Sequence, residues 1–252
     1  MKIRVLLAYF ILVISFVSCK AITKKSINFS SQFTTPSLFE KGDKSLVFIP
    51  MIHLNTPEFY SKTKILIDSL RAEDYVVFYE GVKVGTEDSL EIDRYERKFR
   101  KLTHVVLRNY YDEDAVIYDR YKIKGMVYQT DVDFGPNPDI DCNVDLTIKA
   151  LIDTYESEYG AILLDECDMQ IPLGSKYKCS KKNTTAYTYL ISSLRDEHLY
   201  EEIKNSSHKK LIVVYGKAHF YPLNNKLKSD GWEWIRVEDF VYMHFKKPPK
   251  TK

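Results

Sequence analysis

The sequence predicts a single α/β domain whose mostly parallel central sheet is flanked by helices. Three short runs are almost continuously apolar: residues 45–50 (SLVFIP), 75–79 (YVVFY) and 211–215 (LIVVY). Such runs are typical of parallel strands buried on both faces, since an exposed face would impose an alternation of polar and apolar residues. A helical pattern separates the first two runs, and strand–helix–strand units assemble into parallel sheets. The chain shows no internal repeat, which favours one domain.

The segment between the first two strands has the pattern of an amphipathic helix. Thr56 is predicted to cap its N-terminus and Pro57 to be its first residue, where a missing amide hydrogen costs nothing. Apolar residues then recur at helical spacing, at Phe59, Ile65, Leu66 and Leu70.

Further elements complete the predicted domain. Helices are predicted over residues 90–111, 143–155, 186–204 and 222–228. The run 126–130 (MVYQT) is predicted to be a fourth strand, and residues 232–237 and 240–245 are two short strands that can pair at the sheet edge. Residues 131–145 are predicted to be a loop because they include Gly135, Pro136 and Pro138.

The N-terminus has the features of an export signal. Lys2 and Arg4 precede an apolar run over residues 5–17, which is too short to span a bilayer. Ser18 and Cys19 follow, and a cysteine directly after a small residue resembles the bacterial lipoprotein signal, in which that cysteine is lipidated. The alternative is an ordinary signal peptide with an incidental cysteine. The predicted organisation is a signal peptide over 1–18, a lipidated terminus and tether over 19–33, and the α/β domain over 34–252.

The net charge and the cysteines indicate which partners and which cellular compartment to expect. The 252 residues carry a formal net charge of +2, and loss of Lys2 and Arg4 brings it to zero, so no nucleic-acid partner is expected. A lipid anchor after export predicts a place at the outer membrane, facing the periplasm. In that compartment Cys167 and Cys179 are predicted to form a disulfide that closes a small loop. Neither CxxC nor Cys/His zinc spacing occurs, which argues against a structural zinc site.

Three polar residues follow the three apolar strands. His53 lies three residues beyond the first strand, Glu80 ends the second, and His219 follows the third after a short turn. Because the carboxyl ends of parallel strands share one edge of a sheet, these side chains are expected to meet in one crevice. Two imidazoles and a carboxylate can bind a metal or carry out acid–base catalysis. The sequence therefore predicts an active or ligand-binding site at this edge.

Arg195 is predicted to join this site. It occupies the middle of an apolar helical row with members at Ile191, Leu199 and Ile203. An arginine in such a row either extends to solvent or meets an anion, since burial without a partner would be costly.

Four segments together resemble one protein family. Their order and spacing are similar to those of the TraB/PrgY, GumN-like and TIKI proteins. In chain order the segments are 50–53 (PMIH), 79–81 (YEG), 194–199 (LRDEHL) and 216–219 (GKAH). The superfamily includes erythromycin-esterase-like and ChaN-like haem-binding proteins. Pro50 stands where that family has glycine.

The resemblance implies a fold of the erythromycin-esterase/ChaN-like type and a metal-assisted hydrolase of peptide or ester bonds. In that reading His53, Glu80 and His219 hold a divalent metal, and Gly216 shapes the turn. Arg195 stabilises an oxyanion or orients Glu80. Glu80 can instead serve as a general base without metal, as in the erythromycin-esterase branch. The alternative function is a lipoprotein that binds a peptide or haem through the same crevice without catalysis.

Other polar residues are weaker candidates. His104, His198, His208 and His244 fit structural positions. A cluster of acidic residues in one loop is compatible with calcium binding but does not follow the EF-hand order of ligands. Its members are Asp131, Asp133, Asp139, Asp141 and Asp145. Of these, Asp131 is expected to face the crevice because it would directly follow the fourth strand.

Overall fold

The computed structural model describes residues 35–106, 125–129, 136–137 and 139–235. The leader, Cys19, the tether over 19–33, Asp131 and the strand predicted over 240–245 lie outside the described residues. The strands are β1 (Ser37–Lys41), β2 (Lys44–Met51), β3 (Leu54–Asn55), β4 (Val76–Tyr79), β5 (Val127–Tyr128), β6 (Cys142–Asn143), β7 (Lys210–Gly216) and β8 (Glu233–Ile235). The helices are α1 (Pro57–Arg71), α2 (Ser89–Thr103), α3 (Ile148–Tyr159), α4 (Glu166–Gln170), α5 (Thr184–Thr188), α6 (Leu194–Asn205) and α7 (Phe220–Ser229).

Two short helical segments connect these elements. A π-helical segment, Tyr189–Ser193, joins α5 to α6, and a 3-10 turn, Lys217–His219, joins β7 to α7. In the part of the chain that the structure describes, no helix combines the length and apolarity needed to cross a bilayer.

The central sheet has six strands in the order β6-β4-β7-β2-β1-β8. The first four are parallel to one another, whereas β1 runs antiparallel to both β2 and β8. The predicted class is therefore confirmed as a single mixed α/β domain with a mostly parallel sheet flanked by helices.

Both faces of this sheet are buried. On one face Val47 and Ile49 of β2 pack with residues of α1. On the other face the alternate residues Leu46 and Phe48 pack with apolar residues of α6 and α7, among them Leu199. Burial on both sides is why the strands are apolar runs without alternation.

The strand register places the carboxyl ends of the parallel strands together. Met51 of β2 pairs with Gly216 of β7. Tyr79 of β4 pairs with Val214 of β7 and with Asn143 of β6. Residues that follow β2, β4, β6 and β7 therefore emerge at one edge of the sheet.

The start of α1 agrees with its prediction. Thr56 is the N-cap, its hydroxyl accepts a hydrogen bond from the Phe59 amide at 3.2 Å, and Pro57 is the first helical residue. The cap satisfies one of the amide groups that a helix start leaves without a partner.

The strand predicted over 126–130 is present as Val127–Tyr128, but it pairs with Leu54–Asn55 in a separate two-stranded sheet and does not join the parallel one. The loop predicted over 131–145 was wrong in part. The fourth parallel strand is instead Cys142–Asn143, which lies inside the predicted loop. Two residues are too few to show a periodicity, so the sequence pattern could not reveal this strand.

Several boundaries also differ from the predictions. The helix predicted from residue 143 begins at Ile148, because Thr147 caps it with its side chain. The helix predicted over 186–204 is divided by the π-helical segment. Strand β1 was not predicted, and it pairs with β8 at the sheet edge.

The predicted disulfide between Cys167 and Cys179 is present, with 5.8 Å between the Cα atoms. It encloses the end of α4 and the loop that follows. The buried Arg100 of α2 holds this loop by donating hydrogen bonds to the carbonyl oxygens of Asp168 at 2.9 Å, Ile171 at 3.0 Å and Pro172 at 2.7 Å.

Candidate functional site

The structure brings Glu80, Arg195 and His219 together at the carboxyl edge of the parallel strands. Glu80 directly follows β4, His219 ends the turn after β7, and Arg195 lies in the first turn of α6. Arg195 Nη2 donates to Glu80 Oε1 at 2.6 Å, and His219 Nε2 lies 3.8 Å from the same oxygen. The arginine therefore meets an anion and does not extend to solvent.

Glu80 is held through both of its carboxylate oxygens. Its Oε1 accepts from Arg195, and its Oε2 accepts from the amide of Gly216 at 2.6 Å. A Cβ atom at position 216 would lie 3.0 Å from Oε2. Because the φ angle of Gly216 is −53°, which other residues also adopt, glycine is needed here for close approach and not for an unusual backbone conformation.

Asp145 is the second anion that binds Arg195. Arg195 Nε donates to Asp145 Oδ1 at 2.8 Å and Nη2 donates to Oδ2 at 2.6 Å, a two-point contact that fixes the plane of the guanidinium. Its Nη1 donates to the carbonyl oxygen of Ile191 at 3.0 Å. The side chain of Asp145 is 0% exposed, so this carboxylate depends on Arg195 for its charge compensation.

Asp196 is the hydrogen-bond partner of His219. The Nδ1 atom of His219 lies 2.6 Å from Asp196 Oδ1, and both residues are buried. Tyr215 packs edge-on against the imidazole, with ring centroids 5.1 Å apart. A carboxylate at Nδ1 favours the tautomer that leaves a lone pair on Nε2, and this nitrogen is the one nearest Glu80.

His53 lies beside this cluster and is partly exposed. Burial lowers the pKa of its imidazole. The negative charge of Glu80 acts in the opposite direction, while the positive charge of Arg195 and the proximity of His219 lower the pKa further. His53 therefore interacts electrostatically with all three of the other predicted site residues.

Pro50 does not break the strand that leads to His53. It pairs with Tyr215 within β2, and the pairing between β1 and β2 has already ended at Phe48. Proline is tolerated in a strand where one side has no partner strand. The strand continues to Met51, so Pro50 leaves His53 at the same edge as the residues that follow the other parallel strands.

The buried charges of the site are unbalanced. The site contains three carboxylates, two of them paired with the guanidinium of Arg195 (Glu80 and Asp145) and one paired with His219 (Asp196). With neutral imidazoles the formal charge is −3 + 1 = −2. Such an excess favours a bound cation within the crevice.

Glu80 is ionised in spite of its burial. Burial by itself raises the pKa of a carboxyl group, but interactions with Arg195 above all, and with His53 and His219, outweigh it and lower the pKa of Glu80 to about 2. For Tyr215, burial and the nearby negative charge of Asp145 both raise the pKa, so its phenol stays neutral.

The lowered pKa of Glu80 predicts a loss of stability in acid. The carboxylate stabilises the folded state above its ordinary pKa of 4.5, and this contribution is lost as the pH falls from 4.5 towards 2. The difference corresponds to about 3 kcal/mol. Because the pKa of His53 is also lowered, we expect a further decline that begins as the pH falls below about 6.5.

Urea denaturation as a function of pH measures this effect. The Glu80→Gln variant should lack the part of the decline between pH 4.5 and 2, and the exposed Glu87→Gln variant should retain it. An equally steep decline in the wild type and Glu80→Gln would contradict the assignment.

The other acidic loop residues serve different contacts. Asp141 forms a salt bridge with Arg71 and accepts a hydrogen bond from the Asn137 amide at 2.6 Å. Asp139 is exposed. Asp131 and Asp133 lie outside the described residues, so Asp145 is the member of this group that the structure places in the crevice.

The donor atoms needed for a metal are only partly in place. Among the residues that the structure describes, no group of three or more His, Cys, Asp or Glu side chains is arranged to hold a metal ion. Two of the three predicted ligands, Glu80 and His219, face one another, and the bond from Asp196 to His219 is the support that metal-binding histidines commonly have.

Comparison of the chain with models of protein families, with curated proteins and with solved structures found no match.

Proposed function

We propose that the chain is a hydrolase of peptide or ester bonds and that the crevice around Glu80 and His219 is its active site. The observation that carries this proposal is the buried Asp196–His219 pair, whose free Nε2 lies beside an ionised carboxylate. A histidine oriented by a buried carboxylate is the arrangement that supports general-base catalysis.

His219 removes the proton in the first step. Its Nε2 takes a proton from a water molecule while the water oxygen forms a bond to the substrate carbonyl carbon. The imidazolium that results is stabilised by Asp196 at Nδ1 and by the negative charge of Glu80. In the second step His219 returns the proton to the departing amine or alcohol as the bond to carbon breaks.

Arg195 acts as a positioning residue. It makes four hydrogen bonds to Glu80, Asp145 and the carbonyl oxygen of Ile191, and a guanidinium has five N–H donors. This geometry supports the expected role of orienting Glu80 and leaves little capacity for direct binding of an oxyanion.

A metal-assisted form of the same reaction is favoured by the excess of negative charge in the crevice. His53, Glu80 and His219 are the residues that would hold a divalent ion. When bound, such an ion would polarise the substrate carbonyl or lower the pKa of a bound water.

We also propose a family for this chain. The order of the segments containing His53, Glu80, Arg195 and His219 supports an erythromycin-esterase/ChaN-like fold of the TraB, GumN and TIKI type. From the apolar leader that ends in Ser18 and Cys19, we propose that Cys19 is lipidated and that it anchors the chain at the outer membrane. We propose that the ligand of the crevice is a peptide or a small molecule. Binding of a peptide or haem without catalysis is the alternative function, and the partial exposure of His53 is compatible with haem ligation.

The test is a turnover assay on the purified full-length chain. Matched ester and amide substrates with the same acyl group are incubated with the protein, with and without EDTA. We expect multiple turnovers of at least one substrate, and loss of activity in EDTA would assign the metal-assisted form. No turnover, combined with a sharp Soret band on addition of haemin, would contradict the hydrolase and support the binding protein.

A further inference from the structure

The loop that the disulfide closes, residues 172–182, carries a dense group of lysines, and we call it the lysine loop. Four of the seven residues over 176–182 are lysine: Lys176, Lys178, Lys181 and Lys182. No Asp or Glu occurs over residues 169–194, although the chain has 35 of them among its 252 residues. The segment therefore has positive charges without acidic neighbours in sequence.

The four lysines of the loop are exposed and lack counter-charges. No ion pair joins any of them to a residue that the structure describes, whereas the exposed Lys64 and Lys204 pair with acidic residues of their own helices. Lys182 lies over the ring of Tyr187, with its ammonium 3.2 Å from the centroid, a contact that brings no negative charge. The positive charge of the loop is therefore accessible to an external anion.

Two arginines of α2 hold the backbone at the start of the lysine loop. Besides the three bonds made by Arg100, Arg97 Nη1 donates to the carbonyl oxygens of Asp168 at 2.6 Å and Ile171 at 3.1 Å. The disulfide fixes the other side of the loop. The lysines thus stand on a backbone that is held at several points.

Tyr177 adds a third support between two of the lysines. Its side chain is buried, its hydroxyl donates to the carboxylate of Asp168, and the guanidinium of Arg100 lies 4.9 Å from its ring centroid. The flanking Lys176 and Lys178 are exposed. Because the backbone is already ordered, binding through these lysines costs less conformational entropy than binding through a free tail.

The elements beneath the lysine loop do not neutralise it. The loop, α4 and the residues of α2 that contact them, with their ion partners, have seven cations against four anions, a net charge of 7 − 4 = +3. The cations are the four loop lysines with Arg97, Arg100 and Lys101, and the anions are Asp93, Asp165, Glu166 and Asp168. The whole chain has a formal net charge of +2, so the positive charge is concentrated in this region.

We propose that the lysine loop binds the anionic headgroups of the membrane that carries the chain. The proposal rests on the proposed lipidation of Cys19. Clusters of lysines bind anionic lipid surfaces, and a lipid chain combined with a basic patch gives a more stable attachment than either alone. The loop would then turn a flexible attachment at one residue into a fixed orientation of the domain on the bilayer.

The length of the tether is compatible with this contact. Residues 20–34 can span about 50 Å when fully extended, so the anchor does not keep the loop away from the bilayer. The anchor also raises the effective concentration of headgroups around the domain. This favours a lipid surface over a free polyanion as the occupant.

Lysine footprinting on vesicles tests the proposal with the wild-type lipidated chain. The chain is reconstituted on vesicles of phosphatidylcholine alone or of phosphatidylcholine with phosphatidylglycerol, acetylated with an amine-specific reagent, and analysed by mass spectrometry. We expect the four loop lysines to react at least about fivefold more slowly on the anionic vesicles, since each lysine near such a surface contributes a factor of this size to binding. Lys209, with a side chain 71% exposed, is the internal control and should react equally on both.

Salt provides a second arm of the experiment. The protection should disappear at about 1 M NaCl, where the Debye length falls to about 3 Å. Equal reactivity of the loop lysines on both kinds of vesicle, with the chain bound to both, would overturn the proposal while leaving the anchor intact. Binding to anionic vesicles only would support the loop and contradict the anchor, and binding to neither would contradict both. Protection by heparin but not by anionic vesicles would assign the loop to a polyanion and overturn the proposal.

Discussion

Replacing Arg195 by alanine is expected to lower the free energy of unfolding by about 3–5 kcal/mol, because it leaves two buried carboxylates without their cation. Asp145 has no exposed side-chain surface, and Glu80 is only 17% exposed. Neither carboxylate can recover its lost interactions from solvent without a rearrangement of the crevice. The measurement is urea denaturation of the purified variant at neutral pH.

Two further variants test whether charge is the cause. The triple variant Arg195→Met, Glu80→Gln, Asp145→Asn removes the charges together and should recover much of the lost stability, since apolar or neutral replacements of whole buried ion pairs are often tolerated. The exposed pair of Arg94 with Glu91 provides the control. Arg94→Ala should cost less than about 1 kcal/mol. If Arg195→Ala were as stable as Arg94→Ala, the proposed role of the buried network would be wrong.

Replacing His219 by alanine should lower kcat/KM for hydrolysis by about 10²- to 10⁴-fold, the range expected for loss of a general base. The fold should persist, because the substitution removes one buried polar contact, that with Asp196, and no apolar side chain of the core. The control is His198→Ala, which changes a partly exposed histidine of α6 that lies 3.9 Å from Glu202.

The Asp196→Asn variant tests whether His219 needs a carboxylate at Nδ1 or only a polar side chain of the same shape. The carboxamide has nearly the same shape, but its nitrogen can donate to Nδ1 and so favour the tautomer that carries the proton on Nε2. This tautomer cannot accept a proton from water at Nε2. We therefore expect Asp196→Asn to lose most of the activity that His219→Ala loses, and an Asp196→Asn enzyme with wild-type kcat would contradict the general-base role.

The positions of Glu80 and His219 were predictable because both follow apolar runs that are unmistakable in the sequence. The parallel sheet then determines where the strand ends lie. Arg195 was predictable for a related reason, since a charge within an apolar helical row has to find a partner.

Asp145 and Asp196 were not assigned to the site for two different reasons. Asp145 follows a parallel strand just as Glu80 does, but that strand, Cys142–Asn143, has only two residues in a segment rich in Gly and Pro. Asp196 stands next to Arg195, and helical periodicity assigns neighbouring residues to different faces. The side chains of both are buried here, and Asp196 lies in the first turn of α6, directly after a π-helical segment that sequence periodicity does not reveal.

The central claim is that the crevice between Glu80 and His219 is the functional site, and the most direct test is hydrolysis by the double variant Glu80→Gln, His219→Ala. The substrate is the one that the wild-type chain turns over, and circular dichroism verifies that the fold is intact. We predict that the double variant loses at least about 10²-fold in kcat/KM. A folded double variant with the wild-type rate would show that catalysis takes place elsewhere.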